Sequence, residues 1–334
     1  MKIPVTPNQK WQKYSKYEIK PLRSLFRGKS KEIQRHQEIP LIRQHLDDAV
    51  IVSSEGASPV EFTLFKMPSL YMHFCSCWDQ DGVLDKRRLS HFVNAFGIPH
   101  LSMAAGLSYA IDQVAPYDAK LGDSGFTQNK EEIRQILELE ANLQLILGIP
   151  ELTFVSTMAL WRTDLHHCLM LFDALRNRRT EELTAMVHGY GNVQQLTAFC
   201  IACGYDPYAG RSDQTYRIAW QSLFLRMAGH IDRIAPRPVK VKPGDPYDCQ
   251  LMPEYRVPDL LAAMWLHFYL DITSDGVMFK TCKYCGKMFR ANNSRRDFCP
   301  SDEAGGGGSR CKHNWDRQQT LRKKMITADP APAD

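Results

Sequence analysis

Residues 281–300 read TCKYCGKMFRANNSRRDFCP, and a further cysteine follows at Cys311. The spacing is Cys282-x2-Cys285, thirteen residues, Cys299, eleven residues, Cys311. A Cys-x2-Cys turn lets two thiolates approach one ion while the intervening backbone curls around them. Gly286, just after the second cysteine, tolerates the positive φ that a tight turn demands. Four thiolates in a tetrahedron at ~2.3 Å suit a structural Zn2+ with no open coordination position. A segment this short has little core beyond Phe289 and Phe298, so metal binding would supply much of its folding free energy. The predicted ligands are Cys282, Cys285, Cys299 and Cys311, with His313 as an alternative to Cys311. The competing reading is a set of unrelated buried cysteines; the paired spacing, Gly286 and the flanking phenylalanines favour zinc. The loop PSDEAGGGGSR (300–310) is long for such a knuckle, but closure entropy grows only slowly with length.

Working outward, the chain has 334 residues, enough for two domains or one large domain with attachments. No run approaches the ~18 uninterrupted apolar residues of a membrane span. The first twenty residues are basic without an apolar stretch, which does not read as a secretory signal. The expected compartment is the cytoplasm, where a disulfide framework is disfavoured and clustered cysteines point to metal or catalysis. Of ten cysteines, only the last four have spacing and surroundings that agree.

Charge is unevenly spread. Residues 1–38 hold ten Lys and Arg against three Asp and Glu, whereas residues 39–279 hold twenty against twenty-eight. Residues 280–324 hold twelve against four, a net +8. Zn2+ with four thiolates contributes −2, leaving the loaded module at about +6. An acidic middle between two basic ends suggests that the ends meet a polyanion.

The helical period dominates from about Leu41 to Asp271. In NKEEIRQILELEANLQLILGIP, Asn129 with Glu132 fits an N-terminal cap. Ile136, Leu139, Leu143 and Ile146 form one apolar stripe, and Gly148 and Pro150 stop the helix. Further predicted helices cover 88–96, 102–114, 152–176, 180–189, 192–203 and 213–234. The proline-rich stretch beginning PRPVKVKPGDPYD reads as a connector, and VPDLLAAMWLHFYLDI (257–272) as a buried helix because it is apolar nearly all round. The expected fold is mostly α: a helical N-terminal body with a small C-terminal knuckle. The expected divisions are a basic arm 1–40, a helical domain 41–235, a connector 236–256, a buried helix leading into the finger 257–279, a finger with a basic helix 280–324, and a disordered tail 325–334.

The stretch LLAAMWLHFYLDITSDGVMFKTCKYCGKMF, followed by a basic segment, FCP, a later cysteine and a basic helix, resembles the C-terminal zinc module of bacterial ABATE/CGNR-type proteins. The resemblance covers about the last eighty residues. The family's Cys-Gly-Asn-Arg signature reads Cys311-Lys312-His313-Asn314 here, behind the long loop. The resemblance implies a treble-clef-like finger on a helical domain and a role in transcription regulation.

Basic side chains crowd the same region. Lys287, Arg290, Arg295 and Arg296 lie in the knuckle, and Lys312, Arg317, Arg322, Lys323 and Lys324 follow in KHNWDRQQTLRKK. Such a surface would neutralise phosphates, with affinity that falls steeply as salt rises. Arg295 and Arg296 are the first candidates for phosphate or base contacts, because the guanidinium suits bidentate pairing. The expected partner is nucleic acid, DNA ahead of RNA, with a helical domain that senses a ligand or dimerises. The alternative is an adaptor whose knuckle docks a partner protein or its own helical body.

Other motifs have blander readings. FCIACG (199–204) is a second Cys-x2-Cys, which Cys75, Cys77, His166 or His167 would have to complete; buried free cysteines are the simpler account. GDSG (122–125) matches a protease nucleophile loop over four residues only and reads as a turn. No phosphate loop or HExxH site is present, so nothing nominates a catalytic residue.

Overall fold

The computed structural model describes residues 10–63, 69–79, 82–99, 130–187, 214–231, 234–240, 251–274, 278–285, 288–291, 295–299 and 309–327. The predicted helices 102–114 and 192–203, the GDSG and FCIACG motifs, Gly286, Lys287 and most of the glycine-rich loop lie outside the described residues.

Strands β1 (Lys10–Tyr14) and β2 (Tyr17–Pro21) open the chain, followed by a 3-10 turn at Leu22–Phe26 and helices α1 (Lys31–Arg35) and α2 (Pro40–Gln44). Strands β3 (Ala49–Ser53) and β4 (Pro59–Thr63) come next, then α3 (Leu70–Cys75), α4 (Lys86–Phe96) and α5 (Lys130–Leu147). After β5 (Leu152–Phe154) come α6 (Val155–Arg176), α7 (Thr180–Val187) and α8 (Gln214–Ile231). The chain continues through β6 (Ala235–Lys240), β7 (Leu251–Arg256), α9 (Leu260–Thr273), β8 (Met278–Thr281), β9 (Met288–Ala291) and α10 (Arg310–Thr327). Helices hold most of the described residues, and the strands form four small sheets.

The basic N-terminal segment is built into the fold from Lys10 onward. β1 pairs with β4, and β2 pairs antiparallel with β3, from Tyr17 opposite Ser53 to Pro21 opposite Ala49. β3 also pairs with β5, giving the order β2-β3-β5. This sheet is a wall between two cores, because strand side chains alternate in direction. Ile51 and Tyr17 join the main helical core, while Val50 and Val52 join a second cluster with Leu22, Phe26, Ile42 and α5. In α5, Leu139 and Leu143 of the apolar stripe are buried in that second cluster, with Ile136 and Ile146 packed at its edge. Gly148 ends the run at φ +64°, a left-handed conformation that favours glycine.

Residues 152–154, expected to be helical, are extended instead because β3 takes them as an edge partner. The helix they precede has no capping side chain of its own at Phe154. Glu140 serves from α5: its Oε1 accepts the Phe154 N–H at 2.7 Å and the Thr153 and Thr157 hydroxyls at 2.8 Å each. A buried carboxylate is thereby satisfied against the positive end of α6.

The main core gathers α3, α4, α6, α7, α8 and α9. Helix α9 is buried on nearly all sides from Leu260 to Phe268, as its apolar sequence predicts, and Asp259 caps it by accepting the Ala262 N–H at 2.8 Å. The proline-rich stretch before it contains an antiparallel ladder, β6 with β7, in which Pro238 stands opposite Pro253. A two-stranded ladder consists only of edges, where the missing proline N–H costs least. No helix among the described residues is long and apolar enough to cross a membrane.

Candidate metal centre

The four C-terminal cysteines come together. Cys282 and Cys285 sit in the turn between β8 and β9, Cys299 follows the second strand, and Cys311 lies in the first turn of α10. Their sulfurs all lie within 4.8 Å of one another. Cys285 Sγ is 3.8 Å from Cys299 Sγ, which is 3.2 Å from Cys311 Sγ. Metal–sulfur bonds of ~2.3 Å in a tetrahedron place sulfurs about 3.8 Å apart, so the quartet has the dimensions of a four-thiolate site. Among the described residues this is the one such group of candidate ligands. His313 is exposed on α10 and is not a member.

The electrostatics fit a cation. At Cys282, burial opposes ionisation, but backbone N–H groups of Cys285, Cys299 and Tyr284 point at the sulfur and bring its pKa down to about 7. Cys285 is pushed up to about 12 by burial and by the sulfurs of Cys282 and Cys311. Burial and the same crowding raise Cys299. Four thiols this close resist common ionisation, and a divalent ion reverses that logic by stabilising every thiolate at once. At the start of the helix that carries Cys311, Ser309 Oγ accepts the Lys312 N–H at 3.4 Å.

A small core backs the site: Phe289 and Ala291 are buried with Cys282, and Met278, Phe298 and the other cysteines pack against them. Trp315 of α10 lies over Phe298, ring centroids 6.1 Å apart, which fastens the helix to the knuckle. Asp297 braces the turn, accepting the Lys283 N–H through its carbonyl at 3.1 Å and Lys283 Nζ through its carboxylate at 2.7 Å. Lys280 Nζ reaches the same carboxylate at 3.3 Å, and the two ammonium groups hold the Asp297 pKa below its usual value.

The hairpin has two working faces. β8 and β9 pair with Phe279 opposite Arg290 and Lys280 opposite Phe289. Phe289, Ala291 and Met278 face the cysteines. Phe279 instead enters the main core, its ring 5.7 Å from Phe172, 6.3 Å from Phe268 and 6.4 Å from Tyr71, and Met288 packs against the same core. Arg290 joins this inward face and pairs with Asp271 of α9 at 3.1 Å. Asp271 also accepts the Tyr71 hydroxyl at 2.7 Å and the Ser69 hydroxyl at 3.3 Å. Burial keeps the Asp271 pKa raised despite these partners.

The structure therefore divides the basic residues named from sequence. Arg290 is turned onto the helical body. Arg295, Arg296, Lys312 and Arg317 are exposed on the knuckle and α10. Arg322, Lys323 and Lys324 lie on the last turns of α10. The Asp297 brace and the Asp271 anchor were not nominated from sequence. Strand alternation offered a signal for the anchor, because Arg290 must face away from Phe289.

In the helical body, Cys75 and Cys77 are buried thiols, each raised to about 12 by burial. Asp164 forms a buried ion pair with Arg226 and lies 3.4 Å from His230 Nε2. His230 stacks on Trp265 at 4.3 Å and 8°. Against the cost of its burial, Arg226 and His230 hold Asp164 down to about 2. Comparison with protein-family models, curated proteins and solved structures finds no match to this chain.

Proposed function

We propose that this protein binds nucleic acid, DNA ahead of RNA, through a zinc-held C-terminal knuckle, and regulates transcription with its helical body as the sensing or dimerising part. Zinc, when bound, supplies a closed tetrahedral crosslink and no chemistry of its own. The observation that carries the reading is the separation of the knuckle's surfaces. Phe279, Met288 and Arg290 are committed to the body, while Arg295, Arg296, Lys312 and Arg317 face outward beside the cysteine quartet. Exposed guanidinium and ammonium groups held on a rigid support are what phosphate neutralisation requires. Fluorescence anisotropy of the full chain on mixed-sequence oligonucleotides across a salt series tests this. Arg295→Ala combined with Arg296→Ala is expected to weaken binding and flatten the salt slope by about two charges. An unchanged slope would remove these residues from the interface.

The inward face of the same hairpin favours one second reading, in which the knuckle is chiefly an intramolecular clamp. The Arg290–Asp271 pair and the seat of Phe279 support it. Under that reading the chain shows no salt-dependent affinity for nucleic acid.

A further inference from the structure

We propose that Tyr284, at the tip of the cysteine knuckle, is a stacking platform for an unpaired base, so that the target presents single-stranded nucleotides. This inference rests on the nucleic-acid reading above and deepens it. Tyr284 lies between Cys282 and Cys285, and it is among the few large apolar side chains of the described residues left at least a third exposed, at 36%. None of the ring–ring pairs among the described residues involves it. Its backbone is nonetheless fixed, because its N–H points at the Cys282 sulfur. A ring with two rotatable side-chain bonds, on a backbone tied to the metal site, loses little entropy when a flat partner settles on it.

The surrounding charge selects what that partner is. The loaded cluster carries about −2, which disfavours a phosphate placed directly against the sulfurs. A neutral base has no such penalty and offers a π-face of matching size. Exposed cations are carried by the segment beside the turn: Arg295 and Arg296, whereas the Lys283 ammonium is held by the Asp297 carboxylate at 2.7 Å. Lys283 adjoins Tyr284, and its N–H to the Asp297 carbonyl bond at 3.1 Å brings the segment carrying Arg295 and Arg296 alongside the turn. In a duplex the base faces are covered by their neighbours, whereas in a single strand they are open to an aromatic side chain.

The test uses the full zinc-loaded chain with single-stranded DNA, single-stranded RNA of the same sequence, and the corresponding duplex DNA, read by anisotropy at one salt concentration. Tyr284→Ala is expected to weaken single-strand binding by at least about fivefold and to leave duplex binding unchanged. Tyr284→Phe keeps the stacking surface and is expected to bind as the unmodified chain does. The two single-strand arms distinguish the sugar. A loss with Tyr284→Ala in either supports the platform, and a loss confined to one assigns the target to DNA or RNA. Metal content measured on each variant separates a lost platform from a lost site. If the unmodified chain binds the oligonucleotides and Tyr284→Ala retains full single-strand affinity, or loses single-strand and duplex affinity equally, the stacking proposal is overturned alone. If the unmodified chain binds none of them, the nucleic-acid reading fails and takes this inference with it.

Discussion

Buried and half-buried titratable side chains set how this protein responds to acid. Burial holds His166, His167 and His267 down to about 4 from their ordinary 6.5, so the folded state keeps them neutral. Between those two values the unfolded chain binds protons that the folded chain does not, and stability therefore falls as pH drops from 6.5 toward 4. Asp164 adds a second window: its stabilisation is full above the ordinary 3.8 and is lost as pH falls toward 2. Urea unfolding followed by tryptophan fluorescence, with metal release tracked in the same samples, is expected to show stability declining below pH 6.5 before metal is lost. A flat profile from 6.5 to 4 would show the imidazoles to be solvated. Sequence marked His166 and His167 only as residues that could complete the second Cys-x2-Cys motif. Their burial, and the pairing of Asp164 with residues 62 and 66 positions later, depend on how α6 packs on α8. Helical periodicity gives the face of each helix but not which faces meet.

At the scale of elements, the β8–β9 hairpin joins the cysteine cluster to the helical core. One side closes the cysteine cluster, and the other inserts Phe279 into the helical core. Phe279 is 3% exposed and meets three aromatic rings, so Phe279→Ala removes a large buried side chain and leaves a cavity. The expected cost is about 3–5 kcal/mol of unfolding free energy, measured by denaturant melts of the metal-loaded protein. A cost under about 1 kcal/mol would mean that the hairpin is not seated on the body. The hairpin was partly legible: the cysteine spacing fixed the turn, and Phe289 and Arg290 alternate as strand neighbours must. The strands of the N-terminal half were less so. Each spans five residues or fewer, and the Val50–Val52 run is apolar on both faces because β3 separates two cores. Such a run has no alternation to betray it. The prolines of β6 and β7 argued for a connector, since only a ladder made of edges accepts them.

On the scale of the whole molecule, charge and architecture follow different divisions. The basic N-terminal residues are partly woven into sheets with the acidic middle, whereas the basic C-terminal module keeps its own small core and shares one wall with the body. That arrangement leaves the knuckle to its cysteine cluster and small core, with the helical core as its support. The clustering of the four cysteines could be read from spacing alone because a Cys-x2-Cys turn is local. The outward or inward aim of each arginine could not, because it depends on which side of the hairpin the body covers. The most direct test of the account is the affinity of the full chain for oligonucleotides across a salt series, zinc-loaded and then stripped by a chelator. A zinc-held nucleic-acid interface predicts salt-sensitive binding by the loaded protein that is lost on stripping and restored by zinc. Equal binding by both forms, or none by the loaded form, would contradict it.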